Sequence, residues 1–259
     1  MSGAERIWRA LEVPEAARVD RRVPKARLIE GASVAPADRR LVEEGVERID
    51  WRATLRPGST GIPAGTVPEA PCAEIVVILA TLRSGARATR LAEVLHRAVT
   101  APLVLLLDGE EGGRLSVGLK RAHEREEGRL VLDRLATSPP LPGTGPLDGP
   151  ADPIDAAFMT SLALPRVPAL DLRAFHEALA VRVEALAAAR EAGAFRLPRD
   201  GAEAQTRRAA LGRVAADRAE AARLRREARG TKSLARRVAL SHEVRAAEAT
   251  LKMTLDDLL

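Results

Sequence analysis

The 259-residue chain is 46% apolar, enough for a sizeable core, yet only 2% aromatic with no tyrosine, so Leu, Val and Ala have to fill the interior. Its one cysteine, Cys72, excludes an intrachain disulfide and a multi-cysteine zinc site. The formal charge of +5 is uneven: residues 1–150 hold 22 basic and 21 acidic groups, 151–199 six of each, and 200–259 thirteen against nine.

In chain order, residues 4–11 predict a short helix with Ile7, Trp8 and Leu11 on one side, and the charges dispersed through residues 1–20 argue against a signal peptide. Pro14 and Pro24 bracket a polar connector. A second helix is expected to open near Pro36 and run through Val42, Val46 and Ile49, spaced by four and three, towards Trp51. Four prolines and three glycines then make residues 57–71 a loop. Residues 73–82 (AEIVVILATL) form a continuous β-branched apolar run, the signature of a strand buried on both faces. A helix over 86–98 turns Leu91, Val94, Leu95 and Ala98 inward, and residues 103–107 (LVLLL) predict a second buried strand. After a glycine turn at 109–113, residues 114–121 alternate: Leu115, Val117 and Leu119 on one face, Arg114, Ser116 and Lys120 on the other. Residues 129–135 predict a fourth strand. The order β-α-β-β-β implies a parallel first pair followed by hairpins, hence a small mixed β-sheet.

Residues 138–150 are dense in Pro and Gly and read as a linker, after which everything is helical. A short helix is expected over 152–163. Asp171 is positioned to cap a longer one carrying Leu172, Phe175, Leu179, Val183 and Leu186. Residues 202–228 and 231–256 each run beyond six turns and meet near Gly230. The second carries Leu240, Val244, Ala247, Leu251, Leu255 and Leu258 on one stripe. The fold class is therefore α/β (α+β-like): an α/β domain at 1–150, a helical segment at 151–199, and a long-helix hairpin or coiled coil at 200–259. No window reaches eighteen uninterrupted apolar residues, so a cytoplasmic protein without a membrane partner is expected.

No motif identifies a reaction or a cofactor. The four histidines, His96, His123, His176 and His242, share no ligand spacing; His123-Glu124 opens like a zinc-protease helix, but Glu127 stands where the second histidine belongs. The glycines of 143–149 lack the strand-then-helix setting of a dinucleotide loop, and Gly230-Thr231-Lys232-Ser233 lacks the upstream glycine of a phosphate loop. A restriction-type nuclease needs an acid two places before a lysine, and Gly118 occupies that place before Lys120. Asp108, Glu110 and Glu111 would have to reach Lys120 across the hairpin; as plain structure they are turn and rim charges. Cys72, beside an apolar run, reads as a buried, inert thiol.

Several segments in order resemble one bacterial and archaeal family. They are Val23-Pro24-Lys25 after a short helix, Ile49-Asp50-Trp51, Glu74-Ile75-Val76-Val77 opening a strand, Pro102 leading into the next, Lys120 closing the third, and Arg236-Arg237-Val238-Ala239-Leu240 near the end. The chain resembles domain of unknown function 4391 (DUF4391). It departs from that pattern at Asp133-Arg134-Leu135, where aromatics are usual, and at Ser241, near which an asparagine is usual. The resemblance implies no activity. It implies a setting, beside helicase-like ATPases and adenine DNA methyltransferases in restriction-modification-like or antiphage clusters.

Lys25, Trp51, Glu74 and Lys120 are thus the candidate functional residues. Both lysines stand out in a chain with only four lysines among 41 basic residues, although a coding bias towards arginine accounts for that scarcity as well. Arg236, Arg237, Leu240, Val244 and Leu251 are the candidate interaction residues. The leading expectation is a non-catalytic accessory protein whose C-terminal helices bind a helicase or methyltransferase, or self-associate. The alternative is a DNA-acting protein, a binder or cryptic nuclease, using Lys25, Lys120 and the basic C-terminal helices.

Overall fold

In the computed structural model, which describes residues 1–30, 34–126, 128–143 and 152–256, six strands form one sheet in which each pairs with the next in sequence. The strands are β1 (Arg18–Arg22), β2 (Val46–Leu55), β3 (Ile75–Leu82), β4 (Leu103–Gly109), β5 (Gly112–Ala122) and β6 (Leu130–Thr137). The helices are α1 (Gly3–Ala10), α2 (Lys25–Glu30), α3 (Pro36–Gly45), the single turn α4 (Pro57–Thr60), α5 (Ala88–Ala98), α6 (Pro153–Ser161), α7 (Leu172–Ala192), α8 (Gly201–Gly230) and α9 (Leu234–Asp256). Only β3 and β4 run parallel, joined through α5; all other pairs are antiparallel. The chain divides into two units, Met1–Leu186 and Ala187–Leu259, so residues 152–186 belong with the sheet.

The expected β-α-β-β-β order is present as β3-α5-β4-β5-β6. β3 and β4 are buried almost throughout because helices cover the sheet, which is why both read as unbroken aliphatic runs. Leu91, Val94 and Leu95 of α5 join Val76, Ile78, Ala80, Leu103, Leu105 and Leu107 in one core cluster, to which α3 adds Val42. The intervening Val104 and Leu106 point the other way and are equally buried. α1, capped by the Ser2 hydroxyl, packs on β4 and β5. Its first turn lies so close to β5 that a Cβ on Gly113 would sit 2.1 Å from the Ala4 nitrogen, a contact only glycine permits.

Two short helices, α2 and the turn α4 inside the expected loop 57–71, go beyond expectation, and two strands differ from it. α3 stops at Gly45, and residues 46–55 form β2 instead of continuing the helix to Trp51. Val46 and Ile49 do face the core, but register shifts between Val46 and Arg48 and between Trp51 and Ala53 break the two-residue alternation. What remains mimics a helical spacing of four and three. β1 occupies the polar connector: an edge strand, mostly exposed, with the half-buried Val19 as its single apolar residue and no alternation to betray it. The linker expected at 138–150 lies outside the described residues from 144 onward; before that, Leu141 is buried and bridges Gly113.

Asp171 caps α7 as expected, accepting from the Ala174 amide at 2.8 Å, and Leu172, Phe175, Leu179, Val183 and Leu186 are buried. In the second unit α8 and α9 pair as an antiparallel hairpin, since Arg225 meets Glu248, Glu227 meets Arg236 and Asp217 meets Thr254. The covered positions on α8 are Ala210, Val214, Asp217, Ala221, Leu224 and Ala228; on α9 they are Leu240, Val244, Ala247, Leu251 and Thr254. Both rows alternate three- and four-residue steps. Leu258 lies outside the described residues.

Candidate functional site

The densest set of buried polar groups grows from the alternation of β5. Ser116, Gly118 and Lys120 share the face covered by α5, with Ser116 opposite Leu105 on one side and Thr137 on the other. Gly118 leaves room for the His96 ring of α5, because a Cβ there would lie 2.3 Å from its Nδ1. His96 Nε2 sits 3.0 Å from Ser116 Oγ, and Ser116 Oγ 2.9 Å from Thr137 Oγ1. Lys120 Nζ donates to the carbonyl of Val99, the residue that caps the C-terminus of α5. From α7, His176 Nε2 donates to the Leu103 carbonyl at 3.0 Å, which places the proton of the neutral ring on Nε2.

Burial dominates the electrostatics. It drives His96 well below its ordinary pKa, with the charge of Lys120 adding to the shift. His176 is lowered to about 4, again by burial first and then by Arg173, Lys120 and Arg134. Lys120 itself falls to about 8 through desolvation. At neutral pH both imidazoles are therefore uncharged, while Lys120 keeps its ammonium, and His96 Nδ1 has no hydrogen-bond partner among the described residues. A hydroxyl held between an imidazole and a second hydroxyl is the raw material of a nucleophile. Here His96 and Ser116 have no exposed surface, so the chain of groups acts as a buried polar clasp between α5 and the sheet.

The sequence-selected residues are dispersed. Lys25 Nζ donates to the carbonyls of Glu43 and Val46 at 2.9 and 2.7 Å, closing the C-terminus of α3. Lys25 and Lys120 thus perform one task, each satisfying carbonyls at the negative end of a helix, where a compact ammonium suits better than a planar guanidinium. They do so at opposite ends of the sheet. Val46 pairs with Leu82 at the end of β3, whereas Val99 precedes the start of β4, which lies beside Val76. The intervening six residues of strand span about 20 Å. Trp51 is half-buried against the core and donates from Nε1 to the Ala53 carbonyl and Thr54 Oγ1, both at 3.0 Å. Glu74 accepts from Arg56 and lines a pocket of about 400 Å³ with Thr100, Pro102, Ala122 and Arg129.

The acids of the β4–β5 turn do not meet Lys120, since the seven residues from Gly113 to Lys120 cover about 23 Å of strand. Glu110 and Glu111 border a smaller pocket, about 180 Å³, at the carboxyl ends of β3 and β4. There Glu110 accepts from Ser84 and Glu111 from Arg114. Cys72 is buried, and desolvation pushes its thiol up to about 12. No cluster of metal-ligating side chains occurs among the described residues, and no helix there is long and apolar enough to cross a membrane.

On α9, Leu240 is fully buried, and Val244 and Leu251 continue its row along the seam with α8. Arg236 is bound to Glu227 and Glu243, while Arg237 is exposed. The clasp residues His96, Ser116, Thr137 and His176 escaped selection on the sequence. Ser116 and Lys120 could be placed on one face, but only the pairing of β5 with β6 and the docking of α5 and α7 bring the rest to them.

The family described as domain of unknown function (DUF4391) matches residues 11–251, nearly the whole chain. The chain belongs to the DUF4391 family. The DUF4391 match takes in both units, including the clasp, Lys25 and most of the hairpin. No curated protein and no solved structure matches.

Proposed function

We propose that the chain is an accessory protein of a restriction-modification-like or antiphage cluster, acting in the cytoplasm, whose helical hairpin docks on a helicase-like ATPase or an adenine DNA methyltransferase. The observation that carries this reading is the outer surface of α9, where Leu234, Val238 and Met253 are 72%, 53% and 71% exposed. Each such side chain gains roughly 1.5–3 kcal/mol when fully buried, so three on one helix reward a partner's surface. The seam beneath, with its steps of three and four, reads as a short antiparallel coiled coil that leaves Leu234 and Val238 free near one end of α9 and Met253 near the other. The class of partner follows from the genomic setting implied by the family resemblance.

The test is copurification of the tagged full chain from its host, compared with the variant Leu234→Ser, Val238→Ser, Met253→Ser. Recovery of an ATPase or methyltransferase by the parent and its loss by the variant is expected, with far-ultraviolet circular dichroism unchanged. Equal recovery by both proteins rules out these docking residues.

A further inference from the structure

The basic excess of the chain is confined to one place. Between residues 225 and 245 the sequence holds seven basic and two acidic residues, a surplus equal to the whole formal charge of +5. The other 238 residues balance at 34 of each sign. This stretch is the tip of the hairpin: the end of α8, the turn, and the first half of α9. Its two acids are engaged, Glu227 by Arg223 and Arg236, and Glu243 by Arg236. Arg225 is held by Glu248. Arg226, Arg229, Lys232, Arg237 and Arg245 are exposed and have no acidic partner among the described residues. Arg225, Arg229 and Arg245 border a groove of about 500 Å³ between the two helices, floored by the short side chains of Ala228, Ser241 and Val244.

We propose that this tip binds double-stranded DNA through its phosphate backbone, without reading sequence. Unpaired guanidinium groups on a rigid helical surface suit phosphate oxygens, and release of condensed counterions supplies the affinity. The rest of the inventory narrows the ligand. Residues 200–259 contain no Phe, Tyr or Trp, and His242 is the one aromatic ring there, so the exposed bases of a single strand would find no run of stacking platforms. The chain has no asparagine, and its single glutamine, Gln205, lies outside the tip, so the amide side chains that read adenine edges are missing there. What is left is arginine and lysine, which engage phosphates along a duplex and, of the bases, chiefly guanine edges, so binding to unrelated duplexes is the direct check. Leu234 and Val238 lie in the same tip, but this proposal rests on the charged groups there, so the two readings are separated by which residues are substituted.

The experiment is fluorescence anisotropy of the full chain with a labelled duplex two helical turns long, titrated at several salt concentrations. With five cations engaged, the slope of log affinity against log salt is about −4.5, a loss of roughly 500-fold between about 50 and 200 mM. The double variant Arg229→Gln, Arg245→Gln should reduce the slope to about −2.7, roughly a 40-fold loss over the same range. Both positions are exposed, so circular dichroism should be unchanged. A second duplex of unrelated sequence should bind equally, and the Leu234, Val238, Met253 triple-serine variant should bind like the parent. Three results would overturn the proposal: no duplex binding at low salt, a slope unaffected by the double variant, or tighter binding to single strands or polyglutamate than to duplex. Failure here leaves the copurification result standing, and the reverse holds too.

Discussion

The sheet-containing unit buries Leu, Ile and Val from its strands, with a clasp of His96, Ser116, Thr137, Lys120 and His176 set among them, whereas the helical unit buries mostly alanine along a single seam. A buried leucine contributes about 1.5–3 kcal/mol and an alanine methyl a fraction of that. The hairpin adds ion pairs such as Arg225–Glu248 and Arg218–Glu191, but exposed pairs add little. The contrast teaches that length of secondary structure and depth of core are separate quantities. The longest helices of this chain are its least supported ones, and they also carry three of its exposed large apolar side chains, Leu234, Val238 and Met253, and its net charge.

The sharpest way to break the comparison is to damage one unit and watch the other. Leu105→Ala, in the middle of β4, should cost about 2–5 kcal/mol. Both tryptophans, Trp8 and Trp51, lie in the sheet-containing unit, so their fluorescence in urea reports that unit, while circular dichroism at the helical band follows the hairpin as well. The fluorescence midpoint should drop and a hairpin component should keep its own midpoint. A single shared shift would mean that the two units unfold as one.

Between pH 7 and 5, above the range where the paired carboxylates Glu203, Glu220 and Glu227 of the hairpin titrate, acid should act mainly on one unit. His176 is held at about 4 in the folded state, below the ordinary value near 6.5, so the unfolded chain binds more protons between those values. Stability from this group is intact above about pH 6.5 and is lost as pH falls towards 4, roughly 2 kcal/mol of it between pH 7 and 5. His96, lowered in the same direction, adds to the loss. The hairpin unit has only His242, which is exposed. Urea midpoints at pH 7 and 5 should therefore diverge between fluorescence and a hairpin-specific probe. Lys120→Met sharpens the same point: with the neighbouring charge gone, the His176 titration should move up from about 4 in an NMR pH series, although burial keeps it below its ordinary value.

Smaller effects compare single contacts. Asp217→Ala removes the 2.7 Å hydrogen bond to Thr254 inside the hairpin seam and should cost about 1 kcal/mol, read as a lower hairpin melting temperature. Lys25→Met strips the cation from the end of α3 and should cost about 0.3–1 kcal/mol in the fluorescence transition, with no change in the hairpin.

Much of the architecture is a property of short windows of sequence. Residues 73–82 and 103–107 read as strands covered on both faces, the alternation of 114–121 sorted the side chains of β5 onto its two faces, and the long helical spans of the C-terminal sixty residues needed no tertiary knowledge. The hidden elements lacked that local period. In β2 two bulges erased it, and in β1 an exposed edge never required it. The roles of side chains were harder still. Lys25 and Lys120 were visible as unusual residues, but that each closes a helix C-terminus depends on where α3 and α5 end in space. The clasp joins positions 96, 116, 120, 137 and 176, and the hairpin tip gathers its cations from two helices. Periodicity is written between neighbours a few residues apart, so the sequence alone determined which residues share a face in the elements that keep a regular period. Strand register and helix docking bring together residues far apart in the chain, so only the tertiary structure decided which of those faces meet.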